Sequence, residues 1–97
     1  MKASLLTQEA LKGLPERLPH WRLSTDGLSI SRTFVFTNFA QAFAFMTRMA
    51  EVSERLDHHP EWRNVYNRVE VTLTTHDAGG LTEKDVVWAE AADGLTN

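Results

Sequence analysis

The segment from Asn38 to Leu56 limits the possible folds more than any other. At about 100° per residue, Phe39, Phe43, Met46 and Ala50 fall on one line, and Ala42, Phe45, Met49, Val52 and Leu56 fall on an adjacent one. Together they cover about half the circumference, wider than the ~100° stripe of a helix resting on a single surface. Gln41, Thr47, Arg48, Glu51, Glu54 and Arg55 take the remaining face, with Glu51 and Arg55 as an i,i+4 pair in the favourable order. Asn38 supplies an N-cap and Gln41 stands at the capping-box position. The helix must end near Asp57, because Pro60 disfavours the α conformation at His59. A chain of 97 residues can build one shared core and no more. Such a helix therefore either lies deep on its own sheet or gives one line to a second subunit. On the second arrangement, a charge at Phe45 or Met49 would part the subunits and leave the chain folded.

The rest of the chain supplies the sheet. Thr7 reads as the N-cap of a short helix with Ala10, Leu11 and Leu14, stopped by Gly13 and Pro15, with a connector to Pro19. Trp21 and Leu23, then Ile30, Arg32, Phe34 and Phe36, alternate around an Asp26-Gly27 turn and predict a hairpin. Trp62 to Tyr66 and Val69 to Thr75 predict two more strands around Asn67-Arg68. Val69, Val71 and Leu73 share one face of the second, and Glu70, Thr72, Thr74 and His76 share the other. Thr82 caps a last helix with Asp85 at the capping-box position, and the tail from Asp93 to Asn97 reads as frayed. The order is α-β-β-α-β-β-α in a single domain over residues 1–97. That order predicts an α+β fold, a four-stranded antiparallel sheet with helices packed on one face.

Composition removes several function classes. Ten Lys and Arg against thirteen Asp and Glu leave a formal net charge of −3, so phosphate contacts alone would not hold nucleic acid. The absence of cysteine excludes disulfides, thiolate zinc sites and a cysteine nucleophile. Met1 to Leu6 contains no apolar core of a signal peptide, and no apolar run approaches the roughly 20 residues of a membrane span. The expectation is a soluble cytoplasmic protein with no membrane or direct nucleic-acid partner.

Chemistry concentrates in the histidines. His58 and His59 follow the long helix, and His76 ends a strand on the face opposite Val69, Val71 and Leu73. Histidine titrates near neutral pH, so two or three around one pocket could supply an acid and a base. Two other readings stand beside this one. A His-His pair also serves local hydrogen bonding at a surface. Asp57, His58, His59 and His76 are also competent metal ligands, although adjacent histidines lack a diagnostic spacing such as His-Glu-x-x-His. His20, between Pro19 and Trp21, reads as a surface residue.

The strings Glu54-Arg55-Leu56-Asp57-His58-His59-Pro60-Glu61-Trp62, Asn64-Val65-Tyr66-Asn67, Thr75-His76 and Gly80-Leu81-Thr82 with Asp85 carry more than spacing. With Trp21, Arg32, Phe34, Phe36, Phe39, Ala42, Phe43, Val69 and Leu73, they resemble the pterin-4a-carbinolamine dehydratase family over nearly the whole chain. The resemblance implies a dimer joined through the sheets, or a tetramer built by packing the long helices. It implies loss of water from 4a-hydroxytetrahydropterin to give quinonoid dihydropterin, in tetrahydropterin recycling, with no metal or organic cofactor.

By that resemblance His58, His59 and His76 surround the pterin as the acid–base groups. Asp57, Thr74, Thr75 and Asp77 flank the ring, Trp62 walls the pocket, and Glu54 orients a histidine. Asp85 reads as a structural cap. The family also contains a dimerisation cofactor for a transcription factor and assembly factors for a carbon-fixing enzyme. A non-catalytic binding protein is therefore the alternative, and retention of all three histidines favours the enzyme.

Overall fold

The computed structural model describes residues 4–96. Met1 to Ala3, the start of the amino-terminal segment read above, and Asn97, the end of the expected frayed tail, lie outside it. Thr7 caps α1 (Gln8–Arg17), its hydroxyl accepting the Ala10 amide at 3.1 Å. The sequence predicts a stop at Gly13 and Pro15, yet the helix runs through both. Proline removes one donor and crowds the preceding turn. Tertiary contacts outweigh that here. Continuing the helix buries Leu14 and Leu18 and sets Arg17 between Glu83 (2.7 Å) and Glu90 (3.0 Å) of the last helix.

The strands β1 (Arg22–Leu23), β2 (Ile30–Val35), β3 (Glu61–Val65) and β4 (Arg68–Leu73) form one antiparallel sheet in the order β1-β2-β4-β3. The first hairpin turns where Asp26-Gly27 predicts. There the Asp26 carboxylate accepts the Ser24 hydroxyl and the Leu28 amide, which together hold it below the ordinary aspartate range. The second hairpin differs by one residue from its expected turn. It pivots on Tyr66-Asn67, with Tyr66 at φ 50°, because Val65 pairs with Arg68. Asn67 then fixes the turn, its amide group donating to the Phe36 carbonyl at 2.9 Å.

Strand parity sends Ile30, Phe34, Val69, Val71 and Leu73 to one buried face. α1, α2 (Phe39–Leu56) and α3 (Glu83–Thr96) all contribute to the cluster on that face. The two lines of α2 differ in burial, although Met46 of the first also packs against the core. Ala42, Phe45 and Met49 are buried, whereas Phe39 and Phe43 remain about half exposed, with ring centroids 5.6 Å apart. Phe45 and Met49 thus belong to the internal core, and the line left open carries Phe39 and Phe43. Ser53 sits on the buried side of α2, where it donates back to the Met49 carbonyl and accepts the Trp88 indole N–H at 2.8 Å.

The carboxyl-terminal segment is the second departure. α3 continues to Thr96, and Asp93 accepts hydrogen bonds from the Trp21 indole and the Arg32 guanidinium. Arg32 shares the inner face with Ile30 and Phe34, lying 4.3 Å from the Phe34 ring centroid. A part-buried charge with two partners anchors a helix end that looks polar and frayed in sequence. No helix among the described residues is long and apolar enough to cross a membrane.

Candidate active site

α2 ends in a Schellman arrangement. Asp57 takes a left-handed conformation (φ 50°, ψ 47°), its amide donating to Glu54 and the His58 amide donating to Ser53. This turn sends consecutive histidines into opposite environments. His58 is buried, and the His59 side chain stays 56% exposed.

The other wall follows β4. Thr74 donates its hydroxyl to the Leu28 carbonyl at 2.7 Å, and Thr75 pairs with Gly80. A 3-10 turn, His76–Ala78, then closes through Gly79 at φ 77°, a conformation that glycine adopts without strain. His76 therefore opens a turn beyond the strand rather than ending it.

These segments meet the first turn of α3 around a cavity of about 270 Å³. Asp57, His58, His59, Thr74, Thr75, His76, Asp77 and Lys84 line it. The three histidines and four of the six other residues singled out in the sequence are thus brought together. The cavity lies at the end of the sheet, where β4 finishes and β3 begins. Its position follows from the α2 terminus, which reaches in from the helix layer.

Glu54 and Trp62 do not line the cavity. Glu54 stands behind His59, its carboxylate 2.6 Å from Nε2. Trp62 pairs with Val71, so parity turns it to the inner face, edge-on to Trp88 with ring centroids 6.1 Å apart. A larger hollow of about 560 Å³, lined by Leu5, Leu11, Leu23, Leu28 and neighbours, contains no histidine. The chemistry therefore favours the smaller cavity.

Each of the three histidines has a carboxylate on Nε2. His58 meets Asp85 Oδ1 at 2.6 Å, His59 meets Glu54 at 2.6 Å, and His76 meets Glu61 at 3.2 Å. Asp85 is fully buried. Its Oδ2 accepts the Thr82 amide at 2.9 Å and the Thr75 hydroxyl at 2.8 Å. The Thr82 hydroxyl in turn lies 2.7 Å from that of Thr75. Asp85 is the expected cap, and through its other oxygen it also holds a cavity histidine. Among the described residues, no three His, Asp or Glu side chains are grouped to hold one metal ion.

A family model described as pterin 4 alpha carbinolamine dehydratase matches residues 4–95. The chain belongs to the pterin-4-alpha-carbinolamine dehydratase family. A Mesorhizobium japonicum protein named provisionally as such a dehydratase is 52% identical over 90 residues, 93% of this chain and 92% of its own length. A Novosphingobium aromaticivorans protein named in the same way is 54% identical over 93 residues, covering 96% and 97%. The crystal structure of a transcriptional coactivator/pterin dehydratase from Brucella melitensis superposes with a TM-score of 0.91 at 39% identity, covering 97% of this chain and all of that one. A pterin dehydratase-like protein, identified as a RuBisCO assembly factor in the alpha-carboxysome, gives a TM-score of 0.69 at 26% identity, covering 84% and 94%.

Glu61, Lys84 and the second role of Asp85 are the features of this candidate site that sequence reasoning missed. Glu61 lay inside the quoted Pro60-Glu61-Trp62 string, and strand alternation opposes it to Trp62, away from the core. Lys84 and Asp85 follow the Thr82 cap directly. Only the convergence of three loops reveals what these residues face.

Proposed function

We propose that this chain catalyses loss of water from a 4a-hydroxytetrahydropterin, with His58, His59 and His76 as its acid–base groups. The observation that carries this reading is the single cavity lined by three histidines, each hydrogen-bonded to its own carboxylate. Dehydration needs a proton delivered to the 4a-hydroxyl as the carbon–oxygen bond breaks. The oxygen leaves with that electron pair as water. A ring N–H gives up its proton, and its pair becomes the new C=N bond of quinonoid dihydropterin. Positioned acid–base groups supply typically about 10²–10⁴-fold in rate. Asp57, Asp77, Thr74 and Thr75 line the same space and would meet the polar edge of the pterin. The reaction needs no cofactor, and in the cell it would serve tetrahydropterin recycling in the cytoplasm.

Steady-state dehydration of a freshly generated carbinolamine tests the reading. His→Ala at the principal acid–base position should lower kcat by roughly 10²–10⁴ with the circular dichroism unchanged. A histidine that only positions the ring should raise KM more than it lowers kcat. His20→Ala, remote from the cavity, should be silent. Parent-like turnover by all three folded variants would remove the catalytic assignment of the histidines, whereas no turnover by the parent itself would favour the alternative, a non-catalytic binding protein.

The same reading makes the protein a homodimer or homotetramer, with the open Phe39–Phe43 line of α2 as a contact. Phe43→Glu should then lower the mass seen by light scattering without unfolding, whereas Phe45→Glu should unfold the chain. A parent monomer at micromolar concentration would end this assembly proposal.

A further inference from the structure

The pairing of Glu61 with His76 has no part in the family resemblance or in the capping of any helix. Glu61 opens β3, where register holds it opposite Thr72 on the outer face of the sheet. His76 opens the 3-10 turn that Thr75, paired to Gly80, and Gly79 close. Both backbones are thus fixed by hydrogen-bonded structure, and the two side chains meet between them with Nε2 and Oε1 3.2 Å apart.

An ionised carboxylate only accepts hydrogen bonds, so the ring nitrogen against it carries the hydrogen. A neutral imidazole has one N–H, which leaves the lone pair of His76 on Nδ1. His58 and His59 have the same arrangement, each with a carboxylate on Nε2. The pattern repeats on three carboxylates from three different elements: Asp85 of α3, Glu54 of α2 and Glu61 of β3.

We propose that Glu61 is a positioning residue for His76: it orients the ring and holds its proton on Nε2, so that Nδ1 is the nitrogen that exchanges a proton with the substrate. Glu61 does not line the cavity and acts only through His76. Because both side chains are largely exposed, the pair contributes little to stability, and its removal leaves the fold intact. The proposal rests on the dehydratase reading for its catalytic meaning, but the tautomer can be read without any substrate.

The experiment is long-range proton–nitrogen NMR of the His76 ring in the full, ligand-free chain, alongside dehydration kinetics. In the parent, His76 should be mainly the Nε2–H tautomer. Glu61→Ala should give a mixture of tautomers and lower kcat roughly tenfold with KM little changed. Glu61→Gln keeps an acceptor oxygen and should restore the tautomer and part of the rate. A parent His76 with its proton on Nδ1 would overturn the proposal. So would Glu61→Ala that leaves the tautomer unchanged, whatever its rate. A tautomer that shifts as described in a chain with no turnover supports the positioning and counts against the dehydration reading alone.

Discussion

His58 and His59 are neighbours in the chain with partners of the same kind, yet little else about them is alike. The His58 side chain is 8% exposed and its partner Asp85 is fully buried. The His59 side chain is 56% exposed and that of Glu54 78%. Asp85 spends its other oxygen on the cap of α3 and on Thr75, so one carboxylate ties three segments together and orients a cavity histidine. Glu54 touches His59 and makes no other side-chain hydrogen bond among the described residues. A buried carboxylate with several partners cannot be changed without disturbing the fold, whereas an exposed one can serve chemistry alone. Of the three carboxylates behind the cavity histidines, Asp85 is of the first kind and Glu54 and Glu61 are of the second.

Removing the shared carboxylate should break that contrast most sharply. Asp85→Ala strips partners from the Thr82 amide, the Thr75 hydroxyl and His58 at once. Each buried group left unsatisfied costs about 1–3 kcal/mol. The total should reach about 3–5 kcal/mol, read as a fall in the urea midpoint without a change in m. Asp85→Asn keeps the shape but brings an NH₂ where one oxygen accepted, and should recover part of this loss. A loss below about 1 kcal/mol in Asp85→Ala would show that water or a neighbour replaces the carboxylate, and the contrast would fail.

The next effect separates the two histidines. His58→Ala leaves Asp85 Oδ1 buried without its partner and should cost about 1–3 kcal/mol. His59→Ala should stay within about 0.5 kcal/mol, as surface substitutions do. Both should impair dehydration, so stability and activity together tell the environments apart. Equal destabilisation by the two would mean that burial is not what distinguishes them.

The same distinction explains what the sequence made legible. Periodicity marks α2, and alternation marks β2 and β4, because each buries one continuous face of its own. The readings that failed rest on long-range partners. Pro15 looks like a stop until Arg17 is seen between Glu83 and Glu90. Asp93 looks like a tail until Trp21 and Arg32 reach it.

In the cavity, His58, His59 and His76 stand out by residue type and by resemblance. Asp85 was visible only as a cap, since a capping box is a local pattern and its contact with His58 spans 27 positions. The family resemblance puts Trp62 in the wall. Its pairing with Val71 carries it to the core face instead.

The smallest effects give the most direct measure of the contrast. In a double-mutant cycle on stability, Glu54→Gln with His59→Ala should couple by only about 0.2–1 kcal/mol, because both side chains stay hydrated and lose rotamer freedom on pairing. The corresponding cycle of Asp85→Asn with His58→Ala should couple by about 1–3 kcal/mol, since the contact it probes joins two buried side chains. Salt separates them further. At 1 M ionic strength the Debye length falls to about 3 Å, which should erase the exposed coupling and leave most of the buried one. Urea denaturation of the two cycles at low and high salt checks this. Comparable couplings that respond alike to salt would mean that His58 is no better shielded from solvent than His59, and the distinction between a structural and a purely chemical carboxylate in this cavity would have to be dropped.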